Sequence, residues 1–169
     1  MEKQIYNWKR FWYHLDKEIK LADYGFLSDP ETEWGHILNP DALSLDNLGD
    51  MNCLILLGEP GIGKSFALKK EYENFQEQMK DTGDFVIYRN ISGDSNEERL
   101  VRKLITENPN FKKWANSNKK LFLFIDSFDE SSIPNQSIIK ILVEEFEEMP
   151  IDRLFLRITC RFSEWESFL

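Results

Sequence analysis

The segment from Gly58 to Ser65 reads Gly-Glu-Pro-Gly-Ile-Gly-Lys-Ser and has the spacing GxxxxGK[ST]. It follows the apolar run Cys53 to Leu57 and precedes a helix-like stretch from Phe66 to Met79. Glycines adopt backbone conformations that other residues rarely reach, so consecutive amide groups can turn inward around a polyphosphate. The helix that follows would point its positive end at the same anion. The sequence therefore predicts a phosphate-binding loop between a strand and a helix.

The motif assigns a separate role to each polar side chain of the loop. Lys64 is predicted to neutralise the β and γ phosphates, and the Ser65 hydroxyl is predicted to be one ligand of the accompanying Mg²⁺. The predicted nucleotide-binding residues are Gly58, Glu59, Pro60, Gly61, Ile62, Gly63, Lys64, Ser65 and Phe66. The alternative is a glycine turn that only opens a helix, and the strand and helix context favours the phosphate loop.

A second candidate site residue ends another apolar run. Asp126 follows Leu121 to Ile125 directly, in the Walker B form whose carboxylate usually holds Mg²⁺ through a water. Where many ATPases have a catalytic Glu after this Asp, the chain has Ser127. Asp129 and Glu130 follow three and four places beyond Asp126, and either acid could orient or deprotonate an attacking water.

The elements that must position these residues alternate between strand and helix. Strands are predicted at Asn52 to Leu57, Phe85 to Arg89, Leu121 to Ile125 and Leu154 to Thr159, and helices at Ser65 to Met79, Asn96 to Ile105, Asn110 to Ser117 and Gln136 to Glu148. This alternation favours a parallel sheet with helices on both faces, because short turns cannot return a chain to the same sheet edge. The unbroken apolar runs of the first and third strands are typical of burial on both faces. We therefore predict an α/β fold, a three-layer P-loop NTPase with a mostly parallel sheet of about four core strands.

Residues 1–45 are predicted to form a helical extension and linker ahead of the NTPase core at 46–169. Apolar residues recur there at three- and four-residue steps, which places them on one helix face: Ile5, Trp8, Trp12, Leu15 and Ile19. This face either docks on the flank of its own domain or contacts a partner chain, since aromatic residues are common at binding hot spots. Residues 23–50 read as a loop-rich segment in which Asp41 to Leu48 could form a short helix.

Composition limits the partners of the 169-residue chain. Its net charge is −9 and its pI is near 4.8, and it has no Lys/Arg cluster with interleaved aromatics, so direct nucleic-acid binding is not expected. It has neither the apolar core of a signal peptide nor a long apolar span, which predicts a cytoplasmic protein without a membrane partner. An apolar fraction of 41% is enough for a substantial core.

The two cysteines are predicted to be reduced. If Cys53 and Cys160 lie on adjacent parallel strands, they stand about five residues apart along the sheet, and at ~3.3 Å per residue that is too far for a disulfide. No metal other than the nucleotide-bound Mg²⁺ is predicted.

The order of a strand, Asp126, a small residue, a hydrophobic residue and then Asp129-Glu130 resembles the NACHT family of STAND signalling ATPases. The loop sequence GEPGIGKS does so too, and the resemblance covers about residues 46 to 165. It implies that the strand ending in Thr159-Cys160-Arg161 lies between the loop strand and the Asp strand. On this expectation Lys64, Asp126 and Arg161 converge at the carboxyl ends of the strands.

The resemblance also implies that Arg161 is a sensor of the γ phosphate. A guanidinium there could distinguish ATP from ADP, because the terminal phosphate adds charge and acceptor oxygens. The alternative is an ordinary ion pair of an arginine at a strand end. Family members continue with a fifth strand, a helical lid and a winged-helix region. The resemblance therefore predicts that the core is incomplete at Leu169, as the N-terminal part of a larger protein or as a short protein that completes its site with a partner.

The implied function is Mg²⁺-dependent binding and slow hydrolysis of ATP, in which the nucleotide state controls self-association, within a larger bacterial defence protein. Its catalytic residues would be Lys64, Asp129, Glu130 and Arg161, its cofactors ATP or ADP with Mg²⁺, and its partners further copies of the chain or the remainder of a larger one. Two alternatives stay open. Ser127 motivates a nucleotide-dependent interaction module that scarcely hydrolyses. A small-molecule kinase also uses GxxxxGK[ST], although the Asp-x-x-Asp-Glu order fits it poorly.

Overall fold

Four strands form one parallel sheet within residues 9–165, the part of the chain that this computed structural model describes. The strands are β1 Cys53–Leu57, β2 Phe85–Asn90, β3 Leu121–Asp126 and β4 Leu154–Cys160. Their order is β1-β4-β3-β2, and every neighbouring pair is parallel. The chain is therefore α/β, and the expected position of β4 between the loop strand and the Asp strand is confirmed.

The helices, in chain order, are α1 Glu33–Leu38, α2 Lys64–Gln78, α3 Glu97–Val101, α4 Pro109–Ala115, α5 Asn135–Phe146 and α6 Phe162–Trp165. A π-helical segment, Arg102–Thr106, continues α3, and 3₁₀ turns lie at Asp23–Gly25, Leu45–Leu48, Phe128–Glu130 and Ile151–Arg153. The strands and helices predicted from position 52 onward are confirmed, with ends that differ by at most two residues. In residues 9–165, none of these helices combines the length and apolar character needed to cross a lipid bilayer.

Side-chain caps determine where two of the helices begin. Asn96 Oδ1 accepts a hydrogen bond from Arg99 N at 3.0 Å, and Asn108 Oδ1 accepts one from Asn110 N at 3.0 Å. Pro109 occupies the first turn of α4, where a missing N–H costs nothing. These local preferences explain why the helix boundaries were readable from the sequence.

Helices cover both faces of the sheet around β3, whose six residues are all buried. Phe122 and Phe124 point toward α2, with ring centroids 4.6 Å and 5.9 Å from that of Phe75. Leu121, Leu123 and Ile125 face the other way, into a core cluster that includes apolar residues of α3, α4 and α5. Two-sided burial is thus confirmed for β3.

The same expectation is wrong for β1. Leu56 is its single buried residue, and Cys53 is exposed. The reason is position: among the described residues β1 pairs with β4 alone and forms an edge of the sheet, so its apolar run is only partly covered.

The chain divides into two compact units, one up to Asp50 and the other from Met51. In the first unit, the helix predicted over the N-terminal apolar residues is absent from residues 9–22. Trp12 instead pairs with Leu43 as an antiparallel bridge, with N···O distances of 2.8 and 2.9 Å in the two directions. Because this pairing uses the Trp12 main-chain groups, they cannot join a helical ladder. Leu15 and Ile19 are about half exposed, and Ile5 and Trp8 lie outside the described residues.

The first unit contains a helix that the sequence pattern did not predict, α1. Its start is capped by Thr32, whose side chain accepts a hydrogen bond from Gly35 N at 3.1 Å. A β-carbon at Gly35 would lie 1.8 Å from Asp29 O, so only glycine fits this approach. In place of the short helix considered for 41–48, the unit has the 3₁₀ turn Leu45–Leu48.

Both cysteines are free, as predicted. Cys53 pairs in register with Leu156, and Leu57 with Cys160, so the two thiols stand four positions apart along adjacent strands. The Cys160 side chain is fully buried, and this burial, together with the nearby Asp129 carboxylate, raises the pKa of the thiol to about 12.

We expect a thiol reagent at pH 8 to label Cys53 and to leave Cys160 unmodified until the protein unfolds. At that pH only about one Cys160 thiol in 10⁴ would be ionised, and the reagent cannot reach it. Counting labelled thiols against time, with and without denaturant, checks this. A Cys53→Ser variant should show no labelling in the native state, and two thiols that react at one rate in the folded parent would contradict the expectation.

Candidate functional site

The loop between β1 and α2 has the backbone that its glycines permit. Gly61 and Gly63 have φ values of 83° and 91°, in the left-handed region that other residues rarely adopt. Gly63 is the residue immediately before α2. The first amides of a helix have no acceptor within it, so the start of this 15-residue helix presents N–H groups at the end of the loop. This is an arrangement that can receive an anion.

Lys64, the first residue of α2, folds back over the loop. Its Nζ donates hydrogen bonds to Gly58 O at 2.5 Å and to Glu59 O at 3.0 Å. These bonds hold the Lys64 ammonium group beside the loop, where it would be next to an anion bound by the loop. Phosphate oxygens, which carry full negative charge, would be stronger partners for it than these neutral carbonyls.

The remaining predicted loop residues lie where the motif requires. Residues 58–63 form the turn, and Ser65 and Phe66 belong to the first turn of α2. Ile62 and Phe66 are 50% and 40% exposed, and Pro60 is exposed as well. Six of the nine residues are exposed, and Gly58, Gly63 and Lys64 are half-buried, in a continuous segment that follows the carboxyl end of β1.

The Ser65 side chain lies near enough to the carboxylate of Asp126 to help lower its pKa. Ser65 lies after β1, whereas Asp126 is the last residue of β3 and is 2% exposed. The sheet therefore brings together, across β4, the two side chains that the sequence predicted as metal ligands. Both supply oxygen atoms, which are the ligands that Mg²⁺ prefers.

Three side chains donate hydrogen bonds to the Asp126 carboxylate. Thr159 Oγ1 donates to Oδ1 at 2.6 Å, while Tyr88 Oη and Asn90 Nδ2 donate to Oδ2 at 2.7 and 3.2 Å. Burial raises the pKa of Asp126, but these hydrogen bonds and the nearby Ser65 hydroxyl outweigh it and bring the pKa below its ordinary value. The carboxylate is therefore ionised at neutral pH.

The turn after β3 is held by the same residues. Ser127 adopts φ 56°, and its N–H donates to Thr159 Oγ1 at 3.0 Å. Ser127 Oγ accepts a hydrogen bond from Asn90 Nδ2 at 3.2 Å. The Thr159 hydroxyl thus donates a hydrogen bond to Asp126 and accepts one from the Ser127 amide. These two bonds hold in place the start of the segment that contains Asp129 and Glu130.

Sequence reasoning did not assign Tyr88, Asn90 or Thr159 to the site. Each lies at the carboxyl end of β2 or β4, in register with the end of β3 or near it. The sequence did contain an indication of their role: they are polar residues at or near the carboxyl ends of predicted parallel strands, where ligands of open α/β sheets usually bind. Their convergence on one carboxylate depends on β2 and β4 both lying beside β3, and the resemblance implied this position for β4 but not for β2.

A second polar cluster joins Asp129, Glu130 and Arg161. Arg161 Nε lies 2.8 Å from Asp129 Oδ2, Arg161 Nη2 lies 3.7 Å from Glu130 Oε1, and Arg161 N donates to Asp129 Oδ1 at 3.0 Å. The guanidinium is 41% exposed and the Glu130 side chain 50%, but the Asp129 side chain only 3%. Arg161 is therefore in ion pairs at the end of β4, the arrangement given above as the alternative to a sensor.

The two clusters are adjacent along the backbone. Asp126 and Asp129 are three residues apart after β3, and Thr159 and Arg161 are two apart at the end of β4. Asp126 is the last residue of β3, Arg161 directly follows β4, and Lys64 begins the helix that follows the loop after β1. Across the described range, 9–165, no group of three or more His, Cys, Asp or Glu side chains is arranged to hold a metal ion.

Comparison with protein-family models gives no match, and a comparison with curated proteins gives no significant match. The functional argument therefore depends on the residues and geometry described above.

Proposed function

We propose that residues 58–66 bind ATP together with Mg²⁺ and that this chain is a slowly hydrolysing ATPase core. The observation that carries the proposal is that Ser65, in the first turn of α2 after the glycine loop, and Asp126, at the buried end of β3, lie at the same edge of the sheet. These residues are 61 positions apart, on different elements, and have the types and relative placement that a Mg²⁺-nucleotide site requires.

The oxygen set fits the metal. Ser65 offers a hydroxyl that is exposed at the start of α2, and Asp126 offers a carboxylate whose lowered pKa keeps it ionised. When bound, Mg²⁺ supplies positive charge to the β and γ phosphate oxygens. Asp126 already accepts hydrogen bonds from donors on two strands, β2 and β4, so its orientation is fixed before any ligand arrives.

The chain's own residues supply the rest of the site. The left-handed glycines turn the loop so that main-chain N–H groups meet the phosphates, and Lys64 exchanges its carbonyl partners for phosphate oxygens. Arg161 lies at the same edge of the sheet, beside the two acids that follow β3, and would leave these ion pairs to contact the γ phosphate. These groups orient the nucleotide and take up negative charge that develops on it.

In this proposal the chain is a NACHT-type signalling core from the cytoplasm, part of a larger bacterial defence protein, whose nucleotide state controls self-association. The sheet order, the Asp126-Ser127-Phe128-Asp129-Glu130 segment and the glycine loop support the assignment. Slow turnover is consistent with a site that has Ser127, rather than an acid, directly after the metal-side carboxylate.

A second candidate function is a nucleotide-dependent interaction module that binds but scarcely hydrolyses. The burial of Asp129 in its ion pair with Arg161 favours it, because one of the two acids available to activate water is engaged elsewhere. Phosphate release from saturating MgATP separates the two functions. Binding with no release above a protein-free control supports the module and contradicts the ATPase.

We expect MgATP and MgADP to raise the melting temperature of the parent protein and to leave that of Lys64→Ala unchanged. A ligand at 100 times its Kd stabilises the folded state by about 2.7 kcal/mol, and Lys64 supplies the principal side-chain charge of the loop. Differential scanning fluorimetry with ATP, ADP or GTP at saturating Mg²⁺ measures this.

The matched control is Lys69→Ala, which removes an exposed lysine from the same helix. It should respond to nucleotide as the parent does. A parent protein whose melting temperature did not change with nucleotide would contradict nucleotide binding. An equal rise in the melting temperature of Lys64→Ala would contradict the assignment of the site to this loop.

A further inference from the structure

Tyr88 of β2 contacts both of the elements on which the two predicted metal ligands lie. Its hydroxyl donates a hydrogen bond to Asp126 Oδ2, at the end of β3, over 2.7 Å. Its ring centroid lies 5.2 Å from that of Tyr72 on α2, with the two ring planes tilted by 43°. Ser65 belongs to the first turn of the same helix. Tyr88 therefore links the helix that contains Ser65 to the carboxylate of Asp126.

From these two contacts we infer that Tyr88, together with Asn90, is a positioning residue for the Mg²⁺ of the proposed site. Tyr88 holds the Asp126 carboxylate in one orientation and fixes where that carboxylate lies relative to α2. The inference rests on the proposed function. It adds to the site two residues that lie outside both the glycine loop and the acidic segment after β3.

Both donors to Asp126 Oδ2 come from β2. Asn90 pairs in register with Asp126, and its Nδ2 donates to Oδ2 at 3.2 Å. The Asn90 amide is itself held, because its Oδ1 accepts hydrogen bonds from Ser92 N at 3.0 Å and from Ser92 Oγ at 2.7 Å. A carboxylate oxygen has about two lone-pair sites, so Tyr88 and Asn90 occupy those of Oδ2. The carboxylate cannot turn about its Cβ–Cγ bond without breaking these hydrogen bonds.

Aromatic packing keeps the Tyr88 hydroxyl in this place. The Tyr72 ring that packs on Tyr88 also lies 5.8 Å from the ring of Phe124, measured between centroids. Phe124 is two residues before Asp126 on β3 and is the register partner of Tyr88. One ring from α2 thus packs against one ring from each of two neighbouring strands. A shift of α2 would move the Tyr88 ring, and with it the donor to Asp126.

This arrangement has a consequence that separates metal binding from nucleotide binding. Hydrogen-bond partners that orient a metal ligand typically contribute about 10- to 100-fold to metal affinity. In the proposed site the nucleotide meets the loop amides and Lys64, whereas Tyr88 acts through Asp126 on the metal. Loss of the Tyr88 hydroxyl should therefore weaken the part of nucleotide binding that depends on Mg²⁺ and leave the metal-free part unchanged.

The test measures the Kd for ADP by calorimetry, once in EDTA and once with saturating Mg²⁺. The first Kd divided by the second is the Mg²⁺ gain. Tyr88→Phe keeps the ring and removes the hydroxyl, and we expect its Mg²⁺ gain to fall about tenfold or more while its Kd in EDTA stays at the parent value. Titration of the ADP complex with Mn²⁺, followed by electron paramagnetic resonance, should show a similar loss of metal affinity.

The matched control is Tyr72→Phe, which removes a hydroxyl from the adjacent ring and keeps every described donor to Asp126. Its Mg²⁺ gain should equal that of the parent. A merely structural effect of Tyr88→Phe would raise the two Kd values by the same factor and would leave the gain unchanged.

The outcomes distinguish this inference from the proposed function. A parent that does not bind ADP in either condition, or that binds it equally in both, overturns the proposed Mg²⁺-nucleotide site and the role of Tyr88 with it. If the parent shows a Mg²⁺ gain and Tyr88→Phe keeps it, only the role of Tyr88 is overturned. If Tyr88→Phe does not fold, Asn90→Ala, at an exposed position, removes the other donor to the same oxygen. An unchanged Mg²⁺ gain in that variant overturns the inference, and a tenfold loss supports it.

Discussion

Replacing Arg157 by methionine is expected to lower the free energy of unfolding by about 3–5 kcal/mol. Arg157 lies on β4 with 1% of its surface exposed, and its Nη1 donates to Met51 O at 2.5 Å and to Leu156 O at 3.1 Å. Glu71 of α2 is 4% exposed. Burial lowers the pKa of Arg157, and the negative charge of Glu71 partly opposes that shift. Methionine would remove a positive charge that acts on the buried Glu71 carboxylate, and it would leave Met51 O without its Arg157 donor.

Urea unfolding of the single and double variants checks this explanation. The double variant Glu71→Leu/Arg157→Met removes both charges and should recover most of the lost stability, because apolar replacements of a buried pair are often close to neutral. Lys140→Met on α5, where the side chain is 76% exposed, is the surface control and should change stability by no more than about 0.5 kcal/mol. A single Arg157→Met variant as stable as the parent would show that the Arg157 guanidinium contributes nothing to stability.

Replacing Asp126 by alanine is expected to cost about 3 kcal/mol or more at pH 7. The hydroxyls of Tyr88 and Thr159 and the amide of Asn90 would each lose an acceptor, and a buried donor without a partner costs about 1–3 kcal/mol. Because the pKa of Asp126 is below its ordinary value in the folded protein, the ionised carboxylate stabilises the fold at pH values above that ordinary value. The contribution disappears as the pH falls through the folded-state pKa.

The difference in unfolding free energy between the parent and Asp126→Ala should therefore be largest near pH 7 and should shrink below about pH 4. Denaturant unfolding at a series of pH values measures it. Asp152→Ala, at an exposed position in the turn before β4, should show a small difference at every pH. A pH-independent cost for Asp126→Ala would mean that the loss reflects packing rather than the charge.

The features that were predictable from sequence are local ones. The glycine loop, the start of α2 and the caps at Asn96 and Asn108 depend on residues within a few positions of one another. The alternation of strands with helices allowed a parallel α/β sheet to be predicted before any coordinates. The N-terminal helix was wrongly predicted for a related reason: the periodicity was suitable, but Trp12 found a main-chain partner at Leu43, 31 positions away.

The amino-acid sequence alone determined which residues could do chemistry: a lysine and a serine after a glycine turn, and an aspartate at the end of a buried strand. Only the tertiary structure determined which other side chains contact these residues. Thr159 and Tyr88 reach Asp126 from 33 and 38 positions away, because β4 and β2 lie on either side of β3. Likewise, Asp129 and Glu130 are chemically similar in the sequence, and the burial of one beside Arg161 makes them different. Burial and charge pairing depend on which strands are neighbours, and no local pattern encodes that order.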